Sequence, residues 1–311
     1  MTAVSRRNLV VVRAGDKSLH PAWLAGPEPR NWDIVVNYFG DDPHLFRAPD
    51  VVRIDGKGPK WPALQALFMA HPDLVERYDH IWLPDDDLAT DTASINRLFE
   101  TCARHRLEVA QPALTWDSYF GHLTTLRNPL FRMRMTNYVE VMAPCMTAAV
   151  LRATLPLFNA NLSGWGLDFI WPRHVSRPDG SIAIIDDITV THTRPVGGPN
   201  YKLLREGGIS PWDELRRFCA ANGIESAPRI LTHRAVMRSG RMLAVQERER
   251  RFALMSVIGL AGAVLHSPER RRMLRRMAGM LYKSMMKIPD QVSETPLRAG
   301  LRPSGFRARA T

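Results

Sequence analysis

Short apolar runs alternate with amphipathic stretches between residue 8 and about residue 195. The apolar runs are rich in β-branched residues and bounded by polar or turn residues, which predicts buried strands at residues 9–12, 33–36, 80–83 and 108–110. Apolar positions recur at helical spacing in residues 61–70 and 92–105, with Thr90, Asp91 or Thr92 as the N-cap of the second helix. Strands that alternate with helices predict an α/β fold with a mostly parallel sheet flanked by helices.

The alternation continues to about residue 195, and the pattern changes beyond residue 212. Residues 138–142 predict a strand, residues 147–158 and 167–174 helices, and residues 182–185 and 188–190 late strands. Residues 212–221 predict a short helix, whereas the apolar residues 252–266 are too few to span a bilayer. Residues 273–287 combine apolar and basic positions in a basic amphipathic helix. We therefore expect a catalytic domain at 1–205, a basic helical region at 206–290 and a disordered tail at 291–311.

The positive charge is concentrated in one part of the chain. The whole chain carries a net charge of +11, and residues 229–311 hold 18 Lys and Arg against 5 Asp and Glu. A segment of this kind can bind nucleic acid, anionic lipid or an acidic polymer, or it can be solvated without a partner. Because the body has no zinc module, RNA-binding aromatic motif or recognisable reading helix, we expect no specific nucleic-acid partner.

Cysteine usage and the N-terminal residues indicate a compartment. The three cysteines have no CxxC spacing, which predicts a reducing environment without disulfides or a thiolate metal site. Too few apolar residues follow Arg6 and Arg7 for a signal peptide. The expected localisation is cytoplasmic, with peripheral attachment to the inner face of an anionic membrane through the basic segment.

Three adjacent carboxylates, Asp85, Asp86 and Asp87, follow the apolar run at residues 80–83. Adjacent carboxylates repel one another unless a cation neutralises them, and ligands of open α/β sheets bind at this end of the strands. Oxygen ligands suit Mg²⁺ or Mn²⁺ held together with substrate phosphates. The triplet therefore predicts a divalent metal that holds a diphosphate; the alternative is an acidic N-terminus of the helix that follows.

Two later segments also carry candidate chemistry. Gly164 and Gly166 flank Trp165 and permit close approach of a ligand, and Asp168 would open the next helix, where a carboxylate can act as a general base. The alternative is a turn with a buried tryptophan and a capping aspartate. His192 follows a late strand and is a candidate metal ligand, although it can equally be a structural histidine.

Together these segments resemble metal-dependent glycosyltransferases of the GT-A type. Over residues 8–200 the chain more closely resembles the domain of unknown function family 707. Besides the Asp triplet, the resemblance is carried by NLVVVRAGD at 8–16, NWD at 31–33, YFGD at 38–41, KGPKW at 57–61, AQPAL at 110–114, VEVMAP at 139–144 and GWGLD at 164–168.

The resemblance implies a GT-A-like fold, in which a mostly parallel mixed sheet is flanked by helices, and a metal site. Asp85 and Asp87 would anchor Mn²⁺ or Mg²⁺ against the diphosphate of a nucleotide-sugar donor, and His192 would complete the metal shell. Asp86 would contact the ribose or orient its neighbours.

The donor side is expected to include the loop after the first strand. By the same resemblance, Arg13, Gly15 and Asp16 would receive the nucleotide base and ribose. Lys57 and Lys60, in a loop that contains glycine and proline, would face the phosphates unless they are solvated surface lysines.

The acceptor side carries the candidate base. Asp168 would deprotonate the acceptor, which implies inversion at the anomeric carbon. Glu140 is a rival base on the same side, because an apolar strand rarely contains an unpaired glutamate. Three further residues are expected to line the sugar or acceptor side together with Trp165: Gln111, Trp116 and Asp117.

The expected function is transfer of a sugar from a nucleoside-diphosphate donor to a hydroxyl group of a glycan or lipid-linked acceptor. Nucleotidyl or phosphoryl transfer is an alternative, because it uses the same metal–diphosphate chemistry. A second alternative is a non-enzymatic polyanion-binding protein that acts through the basic C-terminal region.

Overall fold

A large mixed β-sheet organises the computed structural model, which describes residues 6–197, 204, 206–224, 230–245 and 249–285. The strands are β1 (Asn8–Ala14), β2 (Trp32–Tyr38), β3 (Val52–Asp55), β4 (His80–Trp82), β5 (Leu88–Ala89), β6 (Val109–Leu114), β7 (Phe131–Thr136), β8 (Cys145–Thr147), β9 (Ile182–His192), β10 (Thr232–Met237) and β11 (Met242–Ala244). The helices are α1 (His20–Trp23), α2 (Lys60–Ala70), α3 (Asp73–Glu76), α4 (Thr92–His105), α5 (Ala148–Thr154), α6 (Leu167–Ile170), α7 (Pro211–Ala221), α8 (Glu249–Leu260), α9 (Ala263–His266) and α10 (Arg270–Met285).

The strand order across the sheet is β11-β10-β7-β9-β6-β8-β4-β1-β2-β3, and the short β5 pairs with β9. Parallel pairs join β1 to β2 and β4, β2 to β3, and β6 to β9. β8 is antiparallel to both β4 and β6, and antiparallel pairs continue through β7, β10 and β11. The predicted α/β fold with a mixed sheet flanked by helices is confirmed, and the antiparallel pairs give the sheet its mixed character.

Both faces of the sheet are buried, as the continuous apolar runs predict. Along β1, Val10 and Val12 belong to the core on one face, together with residues of α4. Leu9 and Val11 belong to the core on the other face, together with residues of α2, α5 and α7. Alternate side chains of one strand therefore fill two separate cores.

Two predicted element boundaries agree closely with the structure. α4 begins at Thr92, and the side chain of Asp91 accepts a hydrogen bond of 2.7 Å from the backbone N–H of Ser94, so Asp91 is the N-cap among the three candidates. The two late strands form one strand, β9. The register of its pairing with β6 shifts between Pro112, which lies opposite Ile185, and Ala113, which lies opposite Thr189. This shift falls at the predicted break between residues 182–185 and 188–190.

The prediction of a strand at residues 138–142 is wrong. The strand in this region is β7, and residues 138–142 cross the interior without regular structure. Side chains satisfy the backbone there: Gln111 accepts from the N–H of Glu140, and the Trp171 indole donates to the carbonyl of Val139. The apolar composition of this segment reflects burial and not strand pairing. The predicted helix at 167–174 is shorter, since α6 passes into a 3₁₀ turn at Trp171–Arg173 that contains Pro172.

The C-terminal helices pack against the body. Leu260 at the end of α8, Ala263 in α9, and Met273 and Met277 in α10 are buried in the core that α4 also covers. None of the described helices has the length and hydropathy required to cross a membrane. The predicted tail at 291–311 and the last residues of the predicted helix at 273–287 lie outside the described residues.

Candidate metal and active site

Backbone pairing brings the aspartate triplet next to His192. The triplet lies between β4 and β5, and β5 pairs antiparallel with the end of β9 so that Leu88 lies opposite His192. The backbone N–H of Thr193 donates to the carbonyl of Asp87 at 3.1 Å and extends this contact. Residues more than a hundred positions apart in the sequence therefore meet at one edge of the sheet.

Asp85, Asp87 and His192 form a group that fits a divalent cation. One ligand atom from each residue lies within 4.8 Å of the others. His192 Nδ1 lies 2.9 Å from the carbonyl oxygen of Tyr119, to which it donates, and its Nε2 lies 3.3 Å from Asp87 Oδ2. A backbone acceptor that fixes Nδ1 and leaves Nε2 for an ion is the usual arrangement of a histidine ligand. Asp87 Oδ1 is buried and has no hydrogen-bond partner among the described residues.

The charge of this triad is partly balanced within the protein. Lys60 Nζ lies 2.6 Å from Asp85 Oδ1 and 2.9 Å from the carbonyl oxygen of Val141. Desolvation raises the pKa of Asp85 above its usual range, and the charge of Lys60 opposes that shift. Burial lowers the pKa of His192, but the hydrogen bond and charge of Asp87 raise it to about 9. A cation must displace the proton of His192 before it can bind there.

Asp86 points away from the other two aspartates and holds the loop after β1. Its Oδ2 accepts a hydrogen bond of 2.8 Å from the backbone N–H of Gly15, and its Oδ1 lies 3.3 Å from Arg194 Nη1. The carbonyl of Asp86 also accepts from the N–H of Leu19 at 2.7 Å. This geometry corresponds to the orienting role among the two expected for Asp86.

The predicted donor residues Arg13, Gly15 and Asp16 lie together at the ends of β1 and β2. The buried Arg13 guanidinium donates to Asn37 Oδ1 at 2.7 Å and to the carbonyls of Gly56 and Gly58 at 2.8 and 2.6 Å. Asp16 accepts a hydrogen bond from the Tyr38 hydroxyl. Arg13 therefore holds the loop at residues 56–58 in place.

The two loop lysines have different surroundings. Lys57 is exposed and donates to the carbonyls of Phe39 and Gly40 and to Asp41. Lys60 is largely buried against Asp85. Phe39, which the sequence did not single out, is 42% exposed, and its ring packs so closely on Gly15 that a Cβ there would lie 2.7 Å from Phe39 Cζ. Its place in the YFGD segment is the signal that could have found it.

Asp168 lies in the first turn of α6, which begins after Gly166 at a φ of +101°. Its Oδ2 accepts a hydrogen bond of 2.9 Å from the Tyr138 hydroxyl, and its Oδ1 is buried without a partner among the described residues. Burial raises the pKa of Asp168 to about 6, although the Tyr138 hydrogen bond lowers it. A carboxyl group with one oxygen fixed and one unused oxygen has the form of a proton acceptor.

Glu140 is a second buried carboxyl group, two residues after Tyr138 in the same segment. Its Oε2 has no partner among the described residues. Burial, followed by the charge of Asp168, raises the pKa of Glu140 to about 7, and the nearby charges of His192 and Asp85 act on it in opposite directions. Lys60 joins this segment to the triad, because its Nζ contacts both Asp85 and the carbonyl of Val141. Asp168 contacts the same segment through Tyr138.

The other predicted acceptor residues separate into different places. Gln111 is fully buried, and its Oε1 accepts a hydrogen bond of 2.6 Å from the N–H of Glu140, so it positions that segment. Trp165 packs edge-on against Trp212, with ring centroids 4.9 Å apart. Trp116 stacks on His266 instead, at 6.0 Å. The rings of Trp116 and His266 line an open pocket of about 310 Å³ together with Thr115, Arg127 and the exposed Asp117.

Besides Phe39, two more site residues were not predicted from the sequence. Tyr138 fixes Asp168 from within a segment that was predicted as a strand. Arg276 reaches the site from α10, where its charge acts on both Glu140 and Tyr138. Basic residues at helical spacing were evident in the sequence, but no local signal indicates which of them turns towards a site more than a hundred residues upstream.

The comparisons with known proteins agree with the predicted resemblance. The family model described as protein of unknown function (DUF707) matches residues 56–135, the stretch that contains the aspartate triplet. No curated protein sequence matches the chain.

Solved structures similar to this chain at low identity include S. aureus TarS, GalNAc-T7 and a putative nucleotide-diphospho-sugar transferase. S. aureus TarS is 11% identical with a TM-score of 0.44, and the alignment covers 91% of this chain and 53% of TarS. Residues 1–349 of TarS in complex with UDP-GlcNAc are 12% identical, with 89% of each chain covered and a TM-score of 0.43. GalNAc-T7 with UDP, GalNAc and Mn²⁺ is 11% identical, with 70% of this chain and 48% of that chain covered and a TM-score of 0.46. The chain spans about half the length of TarS.

Proposed function

We propose that the protein is a metal-dependent glycosyltransferase that moves a sugar from a nucleoside-diphosphate donor to a hydroxyl group of a glycan or lipid-linked acceptor. The observation that carries the proposal is the convergence of Asp85, Asp87 and His192 at the sheet edge where α/β folds bind ligands. Two buried carboxyl groups have an oxygen without a partner among the described residues. Glu140 belongs to residues 138–142, which Lys60 joins to Asp85, and Asp168 contacts the same residues through Tyr138. A metal triad next to proton acceptors matches the two requirements of transfer from a diphosphate leaving group.

Asp85, Asp87 and His192 would hold Mn²⁺ or Mg²⁺. When bound, such an ion neutralises the negative charge that develops on the diphosphate. A set of two carboxylates and one imidazole suits Mn²⁺ at least as well as Mg²⁺, which prefers oxygen ligands alone. Lys60 would then balance the remaining charge of Asp85, to which it already donates.

Asp168 is the proposed base. Its free Oδ1 would accept the proton of the acceptor hydroxyl while the acceptor oxygen forms a bond to the anomeric carbon. The bond between that carbon and the phosphate oxygen breaks, and the nucleoside diphosphate leaves with the electron pair. Attack from the face opposite the leaving group gives inversion. Tyr138 orients Asp168 through its hydroxyl hydrogen bond.

Binding of a nucleoside diphosphate tests the metal assignment. Wild-type protein should be stabilised against heat by UDP, GDP, ADP or CDP together with Mn²⁺, and less by either component alone. The double variant Asp85→Asn, Asp87→Asn keeps side-chain shape but removes both charges, so Mn²⁺-dependent nucleotide affinity should fall about tenfold or more. The matched control is Asp73→Asn with Glu76→Gln, which changes two exposed acidic residues of α3.

The control should bind like the wild type, and unchanged metal dependence in the Asp85, Asp87 double variant would refute the site. Product analysis with a labelled nucleotide-sugar then separates the reaction classes. Release of nucleoside diphosphate supports glycosyl transfer, whereas release of pyrophosphate indicates nucleotidyl transfer.

The protein is also proposed to act at the inner face of an anionic membrane, where lipid-linked acceptors would be available. The support is a surface of the C-terminal helices that combines exposed apolar and basic side chains. Leu254 and Ile258 on α8 are 53% and 57% exposed, and Leu274 on α10 is 52% exposed. Interfacial helices gain from burying such side chains and from attraction between arginines and anionic lipid.

A further inference from the structure

α10 is a basic helix whose arginines point in two directions. Its residues Arg270–Met285 contain five arginines and no acidic residue. Arg272 Nη2 donates to the carbonyl oxygen of Gly121 at 3.4 Å, and Arg276 Nη1 donates to the same oxygen. Two guanidinium groups on one carbonyl bring like charges close together, which is unfavourable unless an anion lies near them.

Gly121 is also in contact with the proposed active site. A Cβ at position 121 would lie only 2.0 Å from Glu140 Oε1, so a side chain there would clash with Glu140. The backbone that the arginines contact is therefore packed directly against Glu140. The adjacent His122 packs on the Tyr138 ring with centroids 4.8 Å apart. Burial and the charges of Arg276 and Arg272 lower the pKa of His122 to about 4, so the arginines are the cations at this position.

Arg276 has unused binding capacity. It is half-buried, and no described carboxylate lies within ion-pair distance of its guanidinium, whereas Arg272 pairs with Glu269 at 2.7 Å. Desolvation and the charge of Arg272 both lower the pKa of Arg276. A partly buried cation of this kind is stabilised by an anionic ligand.

The arginines continue from this position to the protein surface. Four of them, together with Ser267, Pro268 and Glu269, line an open pocket of about 590 Å³: Arg270, Arg271, Arg272 and Arg275. Arg272 belongs both to this pocket and to the Gly121 contact. The positive charge therefore extends from the surface to the carboxyl groups of the proposed active site.

We propose that Arg276 and Arg272 bind a phosphate group of the acceptor and thereby hold its hydroxyl next to Glu140 and Asp168. This inference rests on the proposed function. The donor diphosphate is assigned to the Asp85, Asp87 and His192 triad. Lys60 joins Asp85 to the carbonyl of Val141, the residue after Glu140. Glu140 Oε1 in turn lies against Gly121, whose carbonyl accepts a hydrogen bond from Arg276. The phosphate at Arg276 therefore belongs to the second substrate. Guanidinium groups bind phosphate through paired hydrogen bonds, which explains why arginines and not lysines are used.

Binding of inorganic pyrophosphate in the presence of a metal chelator tests the proposal, because chelation leaves the triad without an ion. Arg276→Gln keeps a donor for the Gly121 carbonyl but removes the charge, so affinity for pyrophosphate should fall about tenfold. Arg276→Lys should be intermediate, because lysine retains charge without paired donors. The matched control is Arg251→Gln, which removes an exposed charge from α8 and should bind like the wild type.

The same variants are then measured with Mn²⁺ and UDP. Arg276→Gln should bind UDP within about twofold of wild type, whereas the Asp85, Asp87 double variant should lose UDP but retain pyrophosphate binding under chelation. The proposal is overturned if Arg276→Gln binds pyrophosphate normally, or if it loses UDP to the same degree, which would make Arg276 a donor contact. The proposal is also overturned if Arg276→Gln loses only its binding to phosphatidylglycerol vesicles, which would assign the arginines to the membrane. If the proposed function is wrong, the Asp85, Asp87 double variant should instead bind UDP with unchanged dependence on Mn²⁺.

Discussion

At the scale of single residues, burial raises the pKa of both candidate bases, but the two carboxyl groups have different hydrogen-bond partners. Asp168 accepts a hydrogen bond from the Tyr138 hydroxyl. Burial raises the pKa of Asp168 to about 6, and this hydrogen bond opposes the shift. Glu140 Oε2 has no partner in the described part of the chain. Burial and the charge of Asp168 raise the pKa of Glu140 to about 7, although the charges of His192 and Arg276 oppose the shift. The Tyr138 hydroxyl fixes Asp168 Oδ2 and leaves Oδ1 for the proton of the acceptor, and this geometry favours Asp168 as the base.

Replacement of Asp168 by asparagine should lower turnover by about 10²–10⁴-fold, the usual contribution of a positioned general base. The amide keeps the shape of the side chain and can still accept from Tyr138. Binding of the donor with Mn²⁺ should change little, and this is measured on the same protein as a control. If Asp168→Asn stays active while Glu140→Gln is inactive, then Glu140 is the base.

Glu140 also makes stability depend on pH. Its pKa rises from 4.5 to about 7 on folding, so between these values the folded state binds more protons than the unfolded state. The stabilisation is complete below pH 4.5 and is lost as the pH rises through about 7. Glu140→Gln should remove this decline, which is on the order of a few kcal/mol at most. Urea unfolding of both proteins at pH 5 and pH 8 measures it, and parallel declines would contradict the assignment.

At the scale of elements, the sequence predicted those features that depend on local pattern. The continuous apolar runs predicted β1, β2, β4 and β6, because strands covered on both faces have no polar side to alternate with. The pattern failed at β7, where Arg132 and Arg134 interrupt the apolar positions. Arg134 is nevertheless buried, because it pairs with the buried Asp186 at 2.8 Å. A long-range ion pair of this kind leaves no trace in local periodicity.

The candidate site was predictable to a similar extent. The aspartate triplet and His192 stood out because their chemistry is concentrated in short segments at strand ends, and the structure brings Asp85, Asp87 and His192 together. The roles of Tyr138 and Arg276 depend on how distant segments pack, which spacing along the chain does not encode. The same holds for Gln111, which looks like a site residue in sequence but supports the backbone of Glu140.

The N-cap of α4 provides a test at the element scale. Asp91→Ala removes the acceptor of the Ser94 N–H and should lower the free energy of unfolding by about 1 kcal/mol. Asp91→Ser is the matched control, because serine is an equally good N-cap and should leave stability nearly unchanged. Chemical denaturation of the three proteins measures the difference. Equal losses in both variants would mean that the charge of Asp91, and not its capping hydrogen bond, stabilises the helix.

At the scale of the whole molecule, the C-terminal helices have two different surfaces. Met273 and Met277 of α10 are buried in the core, so the methionine side of this helix packs on the body. Exposed apolar side chains remain on the outer surface, including Leu254, Ile258 and Leu274. Because these helices contribute to the core, removing them would disturb the fold, and surface substitutions are the better test of membrane attachment.

Leu254→Ser combined with Ile258→Ser should therefore weaken attachment to phosphatidylglycerol vesicles while leaving the fold intact. The two residues lie one turn apart on α8, and burial of each such side chain contributes about 1.5–3 kcal/mol at most. Arginines near an anionic surface contribute about 1 kcal/mol each, so attachment should also weaken as salt increases. Vesicle flotation measures both effects, with Met69→Ser as a control because Met69 is 70% exposed on α2, which packs in the other core of the molecule. Equal flotation of the double variant and the wild type would show that the apolar surface does not contact the membrane, since removing two exposed apolar side chains from an inserted helix should reduce affinity more than tenfold.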